Sequence, residues 1–154
     1  MSEAFASKRK KRAPGRVVDF FASGSPGDSY YRESTVEYAE MVPETRRTTT
    51  LARPIVEHDL PLSDFIKLDV QGAELDVLRG GVEALGHATL VLLECPLMPY
   101  NLGAPTIDDY LGFMGERGFT VLEFLQPHWR SGRMVQVDVL FGSIERLGDQ
   151  IRAG

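Results

Sequence analysis

Cysteine is nearly absent from this chain of 154 residues: the single one, Cys95, excludes an internal disulfide. That scarcity fits a reducing compartment and sets the expectation of a cytoplasmic protein. Long apolar runs are missing too; none approaches the roughly 18–20 residues that cross a bilayer, so no membrane partner is expected. The first residues, "MSEAFASKRKK", have basic residues without an apolar stretch behind them, which argues against a secretion signal. Neither a P-loop nor a Gly-x-Gly-x-x-Gly fingerprint occurs. "GSPG" at 24–27 is not the Gly-x-Ser-x-Gly turn of a serine nucleophile. His58, His87, His128 and Cys95 show no metal-ligand spacing, so no metal is expected from the sequence. Internal repeats are absent as well.

What remains is an ordinary globular composition, 43% hydrophobic and 25% charged, of a length that suits one domain. The net charge is −5 even though "KRKKR", Lys8 to Arg12, is wholly basic, so the rest of the chain is strongly acidic. An acidic body argues against nucleic acid as a partner, and the basic run reads as a solvated tail. The expected division is a tail over 1–16, a domain over 17–146 and a tail over 147–154.

The chain alternates between two periods. "RVVDFFA" (16–22) reads as a short strand, followed by turn residues and an irregular stretch with a short helix near Val36 to Met41. "DFIKLDV" and "ATLVLLEC" are almost continuously apolar, as in strands buried on both faces of a parallel sheet. Between them Leu75, Leu78, Val82 and Leu85 recur at helical spacing, with Gly80-Gly81 as a break point. Thr106 with Asp109 forms a capping-box pattern for a helix whose buried face is Ile107, Tyr110, Leu111 and Met114, stopped by Gly118. "FTVLEFL" and "RMVQVDVLFG" are two more strands across a loop "QPHWRSG", the last with Val135, Val137, Val139 and Phe141 on one face. The order points to an α/β domain with a mainly parallel sheet and a terminal antiparallel strand.

In open α/β sheets ligands bind at the carboxyl ends of the strands. Two strands here end in acids, Asp69 and Glu94. A carboxylate in that place can accept hydrogen bonds from a ligand, hold a cation or act as a base. Asp69 has a second reading, a strand-end acid satisfied by nearby backbone amides. Gly72 permits a close backbone approach before the helix. Glu74, in the first helical turn, suits the helix dipole in either case.

Several stretches in sequence order, "DFIKLDVQGAELDVLRGG", "VLLECPLMPYNLGAP", "FMGERGF" and "QPHWRSGRMVQVDVLFG", together with "GDSYYRE" upstream, resemble the signature blocks of the FkbM-type methyltransferases. The resemblance runs from about Val17 to Phe141. It implies a Rossmann-like methyltransferase sheet, S-adenosylmethionine as cofactor, and O-methylation of a sugar, polyketide or related small molecule carrying a hydroxyl. On that reading Asp69 is the catalytic residue beside the methyl group. Asp69, Gln71, Gly72 and Glu74 form the cofactor side, and Glu94, Tyr100 and Asn101 the acceptor side.

Two departures accompany the resemblance. Ala52 stands where the family carries an aspartate, and only sixteen residues precede Val17. The family's first two βα units, about 60 residues at roughly 30 each, with their Gly-rich cofactor loop, are therefore expected to be missing. In the family's sheet the strand that ends at Asp69 pairs with the first strand. The expectation here is thus a partial sheet with an open edge. The alternative to an enzyme is a non-catalytic interaction module that forms a homodimer, or docks a partner chain, through that edge.

Overall fold

The computed structural model of the chain describes residues 15–24, 28–34 and 41–148. The "KRKKR" run, most of both expected tails and most of the helix expected near Val36 to Met41 lie outside the described residues; Met41 itself is in no element.

Along "LVLLEC" successive side chains must point to opposite sides of a sheet. In β4 (Leu90–Pro96) this sends Val91, Leu93 and Cys95 to a fully buried face, while Leu90, Leu92 and Glu94 on the other face stay half-buried. β3 (Phe65–Leu68) runs parallel to β4 and contributes Ile66 to the buried face. β6 (Arg133–Ser143) lies antiparallel on the other side of β4, setting Val137, Val139 and Phe141 opposite Cys95, Leu93 and Val91. β5 (Phe119–Arg130) pairs antiparallel with β6, so the strand order is β3-β4-β6-β5. The β-branched residues of β6 fit this pleated, packed surface.

Helices cover the buried face. α2 (Glu74–Arg79), α3 (Val82–His87) and α4 (Ile107–Gly115) deliver Leu75, Leu78, Ala84, Leu85, Tyr110, Phe113 and Met114 to one core cluster with the strands. The capping box is formed, with the Thr106 backbone N–H donating to Asp109 at 2.9 Å. At the α2–α3 junction Gly81 packs so closely that a Cβ there would come within 2.8 Å of Leu51, and the Ala52 N–H donates to the Gly80 carbonyl. That contact anchors α1 (Ala52–Glu57), a six-residue helix with no periodic signal in the sequence.

Several expectations change. The sheet is mixed, with one parallel and two antiparallel pairs, and its antiparallel final strand is interior. The reason lies in the hairpin. "QPHWRSG" is mostly strand, and the reversal is made by Ser131 and Gly132 at φ 51° and 75°, the backbone of a tight two-residue turn. β5 and β6 therefore move as one ribbon, and the valine face of β6 inserts beside β4. Val82 and Leu111 are exposed, Val82 because the break at Gly80-Gly81 resets the helical phase; Phe113 takes the buried place expected of Leu111. β3 is covered on one face alone, leaving Phe65 47% exposed and Lys67 exposed. β1 (Val17–Phe20) pairs with β2 (Glu44–Arg47) in a separate two-stranded sheet. Among the described residues no strand pairs with the free edge of β3.

Candidate functional site

The turn that follows β3 is held open by strain and by hydrogen bonds. Gln71 adopts φ 53° and Gly72 φ 97°, the left-handed region that a side chain rarely tolerates. A Cβ on Gly72 would sit 2.9 Å from the Ala104 Cβ, so both conformation and space require glycine there. The Gln71 carbonyl accepts from Ser29 Oγ at 2.9 Å and from Asn101 Nδ2 at 3.1 Å. Two donors from distant segments thus fix the strained residue. The segment 28–34 is in turn tied to the loop after β4: the Ser34 N–H donates to the Tyr100 carbonyl and the Leu102 N–H to the Arg32 carbonyl.

Glu74 completes the turn from beneath. It is fully buried, and its Oε1 accepts from the backbone N–H of Val70 at 2.8 Å and of Gly72 at 3.4 Å. Its Oε2 accepts from the Tyr110 hydroxyl. Burial pushes the Glu74 carboxyl above its usual range, while these donors oppose the shift. Glu74 is therefore a positioning residue, holding the turn on which Gln71 sits.

Above the turn the acids meet. Gln71 Nε2 donates to Glu94 Oε2 at 2.8 Å and to Asp69 Oδ1 at 3.3 Å. Gln136 Nε2 donates to Glu94 Oε1, and Gln136 Oε1 accepts from the Tyr100 hydroxyl. The result is a polar chain from Asp69 through Gln71, Glu94 and Gln136 to Tyr100. Burial, reinforced by the charges of Asp69, Glu74 and Asp138, holds the Glu94 carboxyl at about 7. Burial and the nearby Glu94 likewise push the Tyr100 phenol up, so it stays protonated and can donate. Among the described residues no lysine or arginine lies within ion-pair distance of Asp69, Glu94 or Asp138.

The structure brings together Asp69, Gln71, Glu94, Tyr100 and Asn101, with Gly72 shaping the turn and Glu74 below it. Asp69 is exposed, Asn101 is buried. Gln136, Asp138 and Ser29, which no sequence motif marks, also belong to the neighbourhood, as does His128, whose spacing in the sequence matches no ligand motif. For Gln136 and Asp138 a signal existed: both interrupt a valine strand at positions facing away from the core.

The domain is mixed α/β, with a strained turn and carboxylates at the carboxyl ends of a parallel strand pair, the place where open α/β sheets take their ligands. The methyltransferase FkbM domain family matches residues 8–121, and the chain belongs to that family. No curated protein and no solved structure matches the chain.

Proposed function

We propose that the site at the tips of β3 and β4 serves methyl transfer from S-adenosylmethionine to a hydroxyl oxygen of a sugar, polyketide or related small molecule. The observation that carries this reading is the exposed Asp69 carboxylate, set by Gln71 beside Glu94 in a chain of a methyltransferase family. The donor set suits a cationic cofactor: carboxylates without a paired cation favour a sulfonium or an ammonium group. Asp69, Gln71 and the turn at Gly72 are the residues that would hold that part of S-adenosylmethionine. When bound, the cofactor supplies an electrophilic methyl group.

The chain's own residues have simpler tasks. Asp69 accepts the hydrogen bond of the acceptor hydroxyl and takes its proton. Tyr100 and Glu94 orient the acceptor, and Asn101 keeps the Gln71 backbone in place, so that geometry contributes much of the rate. Because no Gly-rich loop occurs in the sequence, cofactor affinity of this chain alone is expected to be weak, and micromolar binding by calorimetry would overturn that expectation. The function itself is tested by incubating the chain with methyl-labelled S-adenosylmethionine and a panel of hydroxylated sugars and polyketides. Label recovered as a methyl ether, and lost in Asp69→Asn, supports the reading; label on nitrogen, or insensitivity to Asp69→Asn, overturns it.

A second reading is favoured by one feature, the edge of β3 that no strand pairs among the described residues, with Phe65 47% exposed beside it. Such an edge offers unpaired backbone groups to another strand. On this reading a second copy or a partner chain continues the sheet, in the place where the family's first strand pairs. Light scattering decides: a monodisperse monomer at high concentration argues against it.

A further inference from the structure

The β4–β6 register sets Glu94 directly opposite Asp138, and the β5–β6 register sets Asp138 opposite Leu125. Leu125 and His128 are then three positions apart, whereas their partners Asp138 and Gln136 are two apart. The extra residue is absorbed in a bulge with Gln126 at φ 44°. Bulges bend a strand and re-aim its side chains, and here the bulge brings the His128 ring to the two carboxylates. One ligand atom from each of Glu94, His128 and Asp138 lies within 4.8 Å of the others.

A second feature points to a ligand. Asp138 is only 9% exposed, yet among the described residues its carboxylate accepts no hydrogen bond and meets no lysine or arginine at ion-pair distance. Buried carboxylates are costly unless paired, and nearly all carry partners. Burial pushes the Asp138 carboxyl up, and Asp69 adds to this, while His128 and Lys67 pull it down. Glu94 has its own crowd of negative neighbours in Asp69, Glu74 and Asp138.

We propose that Glu94, His128 and Asp138 bind a divalent metal ion of the borderline class, Fe²⁺ or Zn²⁺. One imidazole with two carboxylates suits these ions, whereas Ca²⁺ and Mg²⁺ prefer oxygen alone. The amides of Gln71 and Gln136 occupy one position on each Glu94 oxygen, and each oxygen has a second. They orient the carboxylate as outer partners of a metal site do. His128 is exposed, so the ion would keep coordination positions open towards solvent. The site shares Glu94 with the methyl-transfer reading, but its test reads metal binding alone and succeeds or fails independently of methyl transfer.

Co²⁺ titration of the untagged, metal-stripped full chain tests the proposal, because the visible absorption of Co²⁺ reports nitrogen and oxygen ligation. Zn²⁺ affinity, read by competition with a chromophoric chelator, is the second measurement. One equivalent should bind, and His128→Ala and Asp138→Asn should each weaken binding about tenfold or more. His58→Ala, at an exposed histidine after α1, should leave it unchanged, and excess Ca²⁺ should not compete. His128 is on the surface, so its variant is expected to keep the fold, and circular dichroism checks this. Failure of Co²⁺ to develop a band, or equal affinity in His128→Ala and the unaltered chain, overturns the proposal.

Discussion

The two faces of the central sheet are made by the same strands and have opposite characters. On one, Val91, Leu93, Cys95, Val137, Val139 and Phe141 pack under three helices. On the other, one residue out of step along each strand, lie Lys67, Leu92, Glu94, Gln136 and Asp138. Leu92 and Leu93 are neighbours in sequence and chemically identical, yet one is half-buried and the other is completely enclosed. Burial on the first face gathers the apolar core, and the second face collects the polar groups. Polar groups accumulate where the helices do not reach.

The contrast gives a direct test. Leu93→Ala should cost about 2–5 kcal/mol, as fully buried leucines do, whereas Leu92→Ala should cost about 1 kcal/mol or less; equal costs by urea denaturation would erase the distinction between the faces. Next in size is Glu74, the one fully buried acid on the helix side among the described residues. Removing it in Glu74→Ala strands two backbone N–H groups and the Tyr110 hydroxyl, an expected loss of about 2–4 kcal/mol, with the turn at Gln71 loosened as read by hydrogen exchange.

Asp76 gives a smaller effect with a pH signature. Its carboxylate accepts from Tyr30 at 2.6 Å, Arg16 at 2.9 Å and Arg79 at 3.0 Å, pinning the segment 28–34 to α2. Burial would raise its pKa, but the bonds from Tyr30 and Arg79 and the charges of Arg16 and Arg79 prevail and lower it. A depressed carboxyl contributes stability above its unfolded value, and that contribution is lost as pH falls through the folded value. Asp76→Asn should therefore cost about 1 kcal/mol at neutral pH, discounted for solvent exposure, and the difference should vanish in acid. Asp138→Asn should act in the opposite direction. Neutralising a buried acid that accepts no hydrogen bond among the described residues is expected to stabilise the metal-free chain by up to about 1 kcal/mol, seen as a higher urea midpoint.

The sequence exposes what local chemistry decides. The strands around Ile66 and Val91, the break at Gly80-Gly81, the Thr106 capping box and the acids at Asp69 and Glu94 are all written in short-range patterns. Long-range pairing is not written there. β6 enters beside β4 because a two-residue turn makes β5 and β6 one ribbon, and no period in either strand announces that neighbour. His128 joins Asp138 through a bulge, which changes register without a motif. Gln71 reads as an ordinary polar residue, and its left-handed backbone depends on donors from Ser29 and Asn101 far along the chain.

Cys95 carries a consequence of its own. It is the only thiol in the chain, completely enclosed on the helix-covered face of β4. Burial, with the negative charges of Glu74, Asp138 and Glu94, pushes its pKa up, so the nucleophilic thiolate is suppressed while the sheet is closed. Alkylation of this residue therefore requires the central strand to come apart. The rate at which iodoacetamide labels the native chain is a clock for that opening, obtained without introducing any probe.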